Sequence, residues 1–280
     1  MTTTGVLLLA RTGSTRLPGK VLKPLGGKPV LEQVVRRLLK VPGIGRIVVA
    51  TTETPADDRL ADFCRTLPVE LFRGSEDNVL DRCTAATEAF GLDTVVRIGS
   101  DCPLVDPPLV AAMLERWREE QARGRTLDYL SNTLERTYPV GLDVEIFARH
   151  TFHKIAEAIR DLPEEERRSN ESNVIPHLHQ HPESFPALSH TQPMDLSHLR
   201  WTLDTPEDYD LISRIYDALY PDNPDFTAVD ILELLGRHPE WSRINAAIVP
   251  RTGHWTPGEQ EKLRRRFTGQ EEPGREGGAG

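Results

Sequence analysis

A short basic loop near the start of the chain, ARTGSTRLPGK, is the first candidate for chemistry. It combines three cations with small residues that offer hydroxyl and backbone donors: Arg11, Arg16, Lys20, Gly13 and Ser14. The loop directly follows the apolar run GVLLL, which is typical of a buried strand. Cations and free N–H groups at the carboxyl end of a strand favour binding of a polyphosphate. The alternative is a solvated turn with ordinary surface charge, and composition alone does not separate the two.

The loop is not a Walker phosphate-binding loop. That motif places four residues between its first glycine and the Gly-Lys pair, and serine or threonine follows the lysine. Here five residues separate Gly13 from Gly19, and Val21 follows Lys20. The G-x-G-x-x-G pattern of dinucleotide-binding proteins is also absent from the sequence.

Two aspartates follow separate apolar segments: Asp101 comes after VVRIGS, and Asp204 comes after RWTL. Each has an explanation without a ligand, because Asp101 can form a turn and Asp204 precedes a helix start with Thr205 as a good cap. If both segments are strands of one parallel sheet, the two carboxylates meet at the edge where the basic loop lies. Two carboxylates and a triphosphate are suitable ligands for Mg²⁺, so the pair is a candidate metal site.

Apolar strands alternate with amphipathic helices over the first part of the chain. The predicted strands are 6–10, 46–52, 69–74 and 93–99. The predicted helices are 28–41, 55–67, 75–91 and 107–123, with Ser75 as the cap of the third. This alternation predicts an α/β fold with three layers, in which helices cover both faces of a mostly parallel, mixed sheet.

The pattern changes after about residue 125. TLDYLSN and GLDVEIF read as two strands joined by a turn, and the charged run EEERRS reads as a solvated linker. The remaining predictions are a helix at 149–162, a His-rich edge or excursion, a strand at LRWTL, and helices at 206–219 and 227–236. We therefore expect one domain over residues 1–250, with an irregular excursion at 125–195. Residues 251–280 are polar and Gly-rich, which predicts a disordered tail.

The basic loop also resembles a known sequence pattern. ARTGSTRLPGK fills every fixed position of A-R-x-G-S-x-R-[LF]-P-G-K, with which the cytidylyltransferases that activate acidic sugars begin. The likeness continues through FRGSEDNVLDR, RIGSDCPLVDP, YPVGLDVEIF and RWTLDTPEDY, and it covers residues 5–240. The chain thus resembles the CMP-Kdo synthetases and acylneuraminate cytidylyltransferases, and most closely the spore-coat polysaccharide biosynthesis protein F group. The resemblance implies a nucleotidyltransferase domain of the nucleotide-diphospho-sugar transferase-like fold.

The resemblance implies an enzyme that transfers CMP from CTP to an acidic sugar and releases pyrophosphate, for surface polysaccharide biosynthesis. Asp101 and Asp204 match the family's metal-holding aspartates in D-x-P-L and D-T-P-E-D, which implies a Mg²⁺ cofactor. Arg11 and Lys20 would join these two aspartates as catalytic residues by neutralising the triphosphate. The expected nucleotide-binding residues are Arg11, Gly13, Ser14, Arg16, Lys20, Arg73, Ser75 and Asn78.

The segment GLDVEIF alternates, so that Asp143 and Glu145 should face one side while Leu142, Val144 and Ile146 face the other. This pattern is also typical of a half-buried strand with a wet face. The resemblance suggests that the two acidic side chains approach the acceptor sugar or the metal.

Three histidines alternate in PHLHQHP, and on a strand they would project from one face: His177, His179 and His181. A transition-metal site is conceivable there, but no carboxylate or cysteine completes a known ligand spacing. The corresponding stretch of the family is structural.

The net charge of −9 and the pI of about 5.5 argue against a protein that coats nucleic acid. Three scattered cysteines form no CxxC pair, and no apolar run is long enough for a signal peptide or a membrane span. We therefore expect a cytoplasmic protein without a membrane partner. The related enzymes are often dimers, so the resemblance implies a homodimer.

Three other functions stay open from the sequence. A metal-dependent glycosyltransferase of related fold usually carries Asp-x-Asp on one loop, but residue 103 is proline in DCP. The same transfer with GTP or UTP fits the motifs too. The third alternative is a nucleotide sensor that has lost catalytic activity. The presence of the basic loop and both aspartates argues against it.

Overall fold

The computed structural model describes residues 3–181 and 183–248. The strands are β1 Thr4–Leu9, β2 Pro24–Leu25, β3 Lys28–Pro29, β4 Arg46–Thr52, β5 Glu70–Gly74, β6 Thr94–Gly99, β7 Tyr129–Ser131, β8 Glu145–Ala148 and β9 Ala187–Ser189. The α-helices are α1 Val30–Leu38, α2 Asp58–Cys64, α3 Val79–Ala89, α4 Pro107–Ala122, α5 Arg149–Ala158, α6 Glu164–Ser172, α7 Ile175–Gln180, α8 Pro206–Leu219 and α9 Ala228–Arg237.

Seven of these strands form one sheet in the order β5-β4-β1-β6-β8-β7-β9. The first four are parallel, β8 runs antiparallel to both β6 and β7, and β9 is parallel to β7. The chain adds β4 and β5 on one side of β1 and then crosses to add β6 on the other side. This reversal opens a crevice beyond the carboxyl ends of β1 and β6, which is where such sheets bind ligands.

Both faces of the sheet are covered by helices. In β1, Val6 and Leu8 pack into a core with α1, α4 and α8, while Leu7 between them packs into a second core with α3 and α5. A strand that is buried on both faces needs apolar residues at consecutive positions, which explains the run GVLLL. The prediction of a three-layer α/β fold with a mixed sheet is therefore confirmed.

The excursion at 125–195 differs from the sequence prediction in two helices. EEERRS lies in α6 and not in a linker, because three glutamates in the first turn suit the positive end of a helix. PHLHQ lies in α7, where Pro176 occupies the first turn, so the three histidines do not project from one face of a strand. The ring centroids of His177 and His181 are 4.5 Å apart, and His179 faces a different environment beside Tyr129.

Two further predictions about local structure are wrong. LRWTL forms no strand: Arg200 makes one isolated parallel bridge with Val140. Ser75 does not cap the third helix, because α3 begins at Val79 and the Asn78 side chain accepts the capping bond from Asp81 N at 2.8 Å. SEDN offers three candidate caps, Ser75, Asp77 and Asn78, and the chain uses the last.

The predicted tail at 251–280 lies outside the described residues. Within the described ranges, none of the helices has the length and apolar character needed to cross a membrane.

Candidate functional site

A cleft of about 690 Å³ opens at the carboxyl ends of β1 and β6. The basic loop after β1 forms one wall, the segment after β6 lies at its base, and the segments around 140–145 and 200–204 close the far side. Nine residues that the sequence predicted as site residues line this cleft: Arg11, Gly13, Ser14, Arg16, Lys20, Asp101, Asp143, Glu145 and Asp204.

Lys20 lies between the two aspartates. Its Nζ is 3.0 Å from Asp101 Oδ2 and 2.7 Å from Asp204 Oδ1, and Arg16 contacts Asp204 Oδ2 at 2.9 Å. We call these four residues the Lys20 cluster. The convergence expected from the sheet edge is therefore present, while the catalytic and metal-binding roles of these residues stay predictions.

Lys20 and Asp204 are held in their charged forms. Burial alone lowers the pKa of Lys20, but the charges of Asp101 and Asp204 outweigh it, and the pKa is raised. Burial raises the pKa of Asp204, because it disfavours the charged carboxylate. The positive charges of Lys20, Arg16 and Arg200 outweigh this effect and bring the pKa below its ordinary value. Both groups are therefore ionised at neutral pH.

A buried carboxylate that the sequence analysis missed anchors the basic loop. Asp57 accepts bonds from the backbone N–H of Thr12 at 2.7 Å and from its hydroxyl at 2.6 Å, and a third from Thr52 at 2.5 Å. Gly19 has φ +65, in the left-handed region that glycine favours, and a short 3₁₀ turn from Lys20 to Leu22 follows it. The anchored loop and this turn together direct Lys20 toward the aspartates.

Asp204 is fixed by a second buried network. The Arg200 guanidinium donates to both oxygens of Asp208 at 2.9 Å and to Asp204 Oδ2 at 3.2 Å. Asp208 also accepts the backbone N–H of Asp204, and with Thr205 it forms a capping box at the start of α8. The helix-cap explanation from the sequence therefore holds, and the same cap positions the carboxylate. Arg200, four residues before Asp204, is a second residue that the sequence analysis missed.

The other two predicted acids are paired with arginines. Arg136 donates to Asp143 at 2.5 and 3.1 Å, and Arg97 forms an ion pair with Glu145. Tyr129 also donates to Glu145, at 2.7 Å. The intervening apolar residues of GLDVEIF are buried in the core, which confirms the predicted alternation of faces.

These two pairs border a smaller space of about 100 Å³, which we call the inner cavity. Thr133, Ile175 and His179 complete its lining, and the two ion pairs also line the main cleft. The inner cavity is therefore an extension of the cleft.

Gly141 allows the two groups of acids to approach each other. It has φ +103, and a Cβ at this position would lie 2.5 Å from the backbone carbon of Trp201. Because Trp201 N bonds to Val140 O at 2.6 Å, the segment that carries Asp143 runs against the segment that carries Asp204. Only glycine allows this backbone contact.

Three residues predicted to contact the nucleotide do not line the cleft: Arg73, Ser75 and Asn78. Arg73 donates to the carbonyls of Thr52 and Thr54 at 2.9 and 3.0 Å and pairs with Asp58. Ser75 and Asn78 bond to the backbone at the start of α3. In this structure the three residues shape local backbone, and their contact with a nucleotide stays an untested prediction. The same motif instead brings Glu76, Asp77 and Arg82 to the cleft.

The donor set of the Lys20 cluster fits Mg²⁺. Asp101 and Asp204 both contact the single Nζ atom of Lys20, so one cation can contact both carboxylates. Over residues 3–181 and 183–248, no group of three or more histidine, cysteine and carboxylate side chains is arranged to hold a metal ion. Two carboxylates with phosphate oxygens and water are nevertheless the ligands that Mg²⁺ prefers in nucleotide sites.

The cysteines are buried and are suited to packing. Burial raises the pKa of Cys64 and of Cys83 to about 11, and it raises that of Cys102 well above the ordinary value. A thiol with a raised pKa is a poor nucleophile at neutral pH.

Comparison with known proteins identifies the family. Residues 6–223 match the family model described as cytidylyltransferase, and the chain belongs to this family. It is 31% identical over 242 residues to spore coat polysaccharide biosynthesis protein SpsF of Bacillus subtilis, covering 84% of this chain and 94% of that protein. It is 38% identical over 120 residues to the 3-deoxy-manno-octulosonate cytidylyltransferase of Halorhodospira halophila, covering 40% of this chain and 43% of that enzyme.

A solved structure of a cytidylyltransferase from Leptospira borgpetersenii is similar over the whole fold. It shares 29% identity with this chain, has a TM-score of 0.79, and the match covers 86% of this chain and 97% of that structure. The family resemblance read from the motifs is confirmed.

Proposed function

We propose that the protein transfers CMP from CTP to a hydroxyl group of an acidic sugar and releases pyrophosphate. The observation that carries this proposal is the convergence of Lys20 with Asp101 and Asp204, in the crevice of a chain that belongs to the cytidylyltransferase family. The names of the Bacillus and Halorhodospira relatives support a polysaccharide pathway and an acidic octulosonate acceptor.

The basic loop binds the triphosphate in this proposal. Arg11, Arg16 and Lys20 line the cleft on one side and neutralise the charge that moves onto the leaving pyrophosphate. The acceptor hydroxyl forms a bond to the α-phosphorus while the bond to the β-phosphate oxygen breaks. Nucleotidyl transfer depends chiefly on position and charge, so the account needs no protein general base.

Asp101 and Asp204 would hold Mg²⁺ in the proposed complex. A bound Mg²⁺ supplies positive charge to the phosphate oxygens and orients the attacking hydroxyl. Lys20 is placed to supply positive charge at the same point, because its ammonium group lies within hydrogen-bonding distance of both carboxylates. Arg200 and Asp208 keep Asp204 in place.

The acceptor sugar is proposed to reach into the inner cavity. Asp143 and Glu145 are neutralised by Arg136 and Arg97, so this space offers hydrogen-bond donors and acceptors with balanced charge. Such a lining suits the hydroxyl groups of a sugar.

Cytoplasmic location and a homodimer belong to the same proposal and rest on the family resemblance. Sedimentation equilibrium of the purified protein measures the oligomeric state, and a mass of twice the 31.5 kDa chain is expected.

The direct test of the proposal is a pyrophosphate-release screen. Each of four nucleoside triphosphates is combined with a panel of nonulosonic and octulosonic acids, with and without Mg²⁺. We expect release with CTP and one class of acid, and only when Mg²⁺ is present. Equal release of pyrophosphate with GTP or UTP would contradict the assignment of CTP as the specific nucleotide. Release with a nucleotide alone would contradict transfer to a sugar. The Asp101→Asn variant serves as the inactive control.

A further inference from the structure

The cations of the cleft fall into two groups. Five of them contact carboxylates within 4.0 Å: Arg16, Lys20, Arg97, Arg136 and Arg200. Arg11 and Arg82 also line the cleft, and within the described part of the chain neither has a carboxylate at that distance. Arg11 is exposed to water, whereas Arg82 is only 4% exposed.

Arg82 is anchored but not neutralised. Its NH1 group donates to the carbonyl of Ser75 and more distantly, at 3.5 Å, to that of Glu76. Its Nε is buried and has no hydrogen-bond partner within the described residues. Asp57 and Glu76 lie in its surroundings, but burial dominates and lowers the pKa of the guanidinium, and the charge of Arg11 lowers it further.

This arrangement of Arg82 destabilises the protein when no ligand is bound. A buried charge whose hydrogen bonds go to neutral carbonyls recovers less of its desolvation cost than a charge in an ion pair. A buried donor without a partner adds a second cost, and such groups call for an explanation. An anion that enters the cleft would offset the cost of the buried charge, because a guanidinium binds carboxylates and phosphates in pairs of bonds.

The position of Arg82 also suits a ligand. The segment that anchors it, Ser75 and Glu76, approaches the basic loop: a Cβ placed on Gly13 would lie 3.8 Å from Glu76 Oε1. Arg82 is therefore held beside the junction of the two loops that line this end of the cleft.

We propose that Arg82 is a substrate-binding residue, and that it binds an oxyanion of a substrate with its buried guanidinium. This inference rests on the proposed function for the source of that oxyanion, which is either a phosphate of CTP or the carboxylate of the acidic sugar. The chemistry of the contact is the same for both, and the experiment separates them.

The test compares two variants that differ in the charge of the side chain. Arg82→Gln retains N–H donors but removes the charge, and Arg82→Lys retains the charge. Arg214→Gln is the matched control, because Arg214 is an exposed arginine paired with Asp210 outside the cleft. Calorimetry with Mg²⁺ chelated measures binding of pyrophosphate, CTP, cytidine and 3-deoxy-manno-octulosonate to the full-length protein, and melting temperatures are recorded for each variant.

If the oxyanion is a phosphate, Arg82→Gln weakens pyrophosphate and CTP binding on the order of 10-fold or more and leaves cytidine binding unchanged. If it is the carboxylate, the same loss appears for the octulosonate alone. In both cases Arg82→Lys retains most of the affinity and Arg214→Gln equals the wild type. Equal losses in Gln and Lys variants for every ligand, with lowered melting temperatures, would show a purely structural role and overturn the inference. Unchanged binding in Arg82→Gln, or a wild type that binds none of the anions, would overturn it too.

These measurements need no turnover. An Arg82-dependent affinity for pyrophosphate in a protein that makes no CMP-sugar would leave this inference standing and remove the proposed function.

Discussion

The two acidic groups in the cleft differ in how their charges are balanced. In the Lys20 cluster, Asp204 contacts three cations, Arg16, Lys20 and Arg200. Asp101 contacts Lys20 as well. At the inner cavity each acid has its own arginine, Arg136 for Asp143 and Arg97 for Glu145. Cations that share carboxylates can be redistributed when phosphate and metal arrive. Closed pairs keep a fixed shape, which suits recognition of a neutral, hydroxyl-bearing group.

The largest effect is expected where the Lys20 cluster loses a carboxylate. Asp101→Asn and Asp204→Asn should each lower the transfer rate on the order of 10²–10³-fold, because a proposed metal ligand and a charge are removed together. Asp101 is partly exposed, so its variant should melt close to the wild type, and steady-state kinetics with CTP and the accepted sugar measures the loss. Normal turnover of CTP by both variants would remove the metal assignment.

Disturbing the backbone contact between the segments that carry Asp143 and Asp204 should destabilise the fold. Gly141→Ala places a methyl group against the Trp201 backbone at φ +103, so the free energy of unfolding should fall by about 2–4 kcal/mol. Gly124→Ala is the matched control, since Gly124 has φ +78 but nothing lies within 4 Å of its added Cβ. Chemical denaturation measures both variants. An equal loss in the two would mean that backbone angle alone, and not the contact with Trp201, matters.

At the inner cavity the expected effect is confined to the acceptor. Arg136→Met leaves Asp143 without its two bonds, so the KM for the acidic sugar should rise about 10-fold while the KM for CTP changes little. Arg118→Met, at an exposed arginine near Gly43, controls for loss of a surface charge. A rise in the KM for CTP of the same size would place the nucleotide, and not the sugar, at this pair.

Features of the fold and site that depend on neighbouring residues could be predicted from the sequence, whereas contacts between residues far apart in the chain could not. Strands β1, β4, β5 and β6 were predicted because buried parallel strands are continuous apolar runs, whereas the two-residue strands β2 and β3 were not predicted. Asp101, Asp204 and the loop that carries Lys20 were predicted because each follows an apolar segment. LRWTL has the composition of a strand, but its neighbour bonds to it at one bridge only, and no local pattern shows that. Arg82, Arg97 and Arg136 look like ordinary surface charges in the sequence. Their burial and pairing depend on residues that the fold brings from other elements.

The smallest effect is expected at the anchor of the basic loop. Hydrogen bonds from Thr12 and Thr52 outweigh burial and hold the pKa of Asp57 below its ordinary value. Its ionised form therefore stabilises the fold above the unfolded-state pKa of about 4, and this contribution is lost as the pH falls through the lower folded-state pKa. Asp57→Asn should destabilise the protein by about 1 kcal/mol near neutral pH and raise the KM for CTP a few-fold.

Melting temperatures of Asp57→Asn and the wild type, recorded from neutral to acidic pH, measure this dependence. The difference between the two proteins should shrink as the pH falls below about 4. A difference that stays constant would mean that shape, and not charge, makes Asp57 the anchor.

The central claim is the transfer of CMP from CTP to an acidic sugar. ³¹P NMR of the wild-type protein with CTP, Mg²⁺ and the acid selected by the screen tests it most directly. We expect pyrophosphate and one new phosphodiester signal in equal amounts, since the bond breaks between the α- and β-phosphates. Formation of CDP with inorganic phosphate, or loss of CTP without a new phosphodiester, would contradict it.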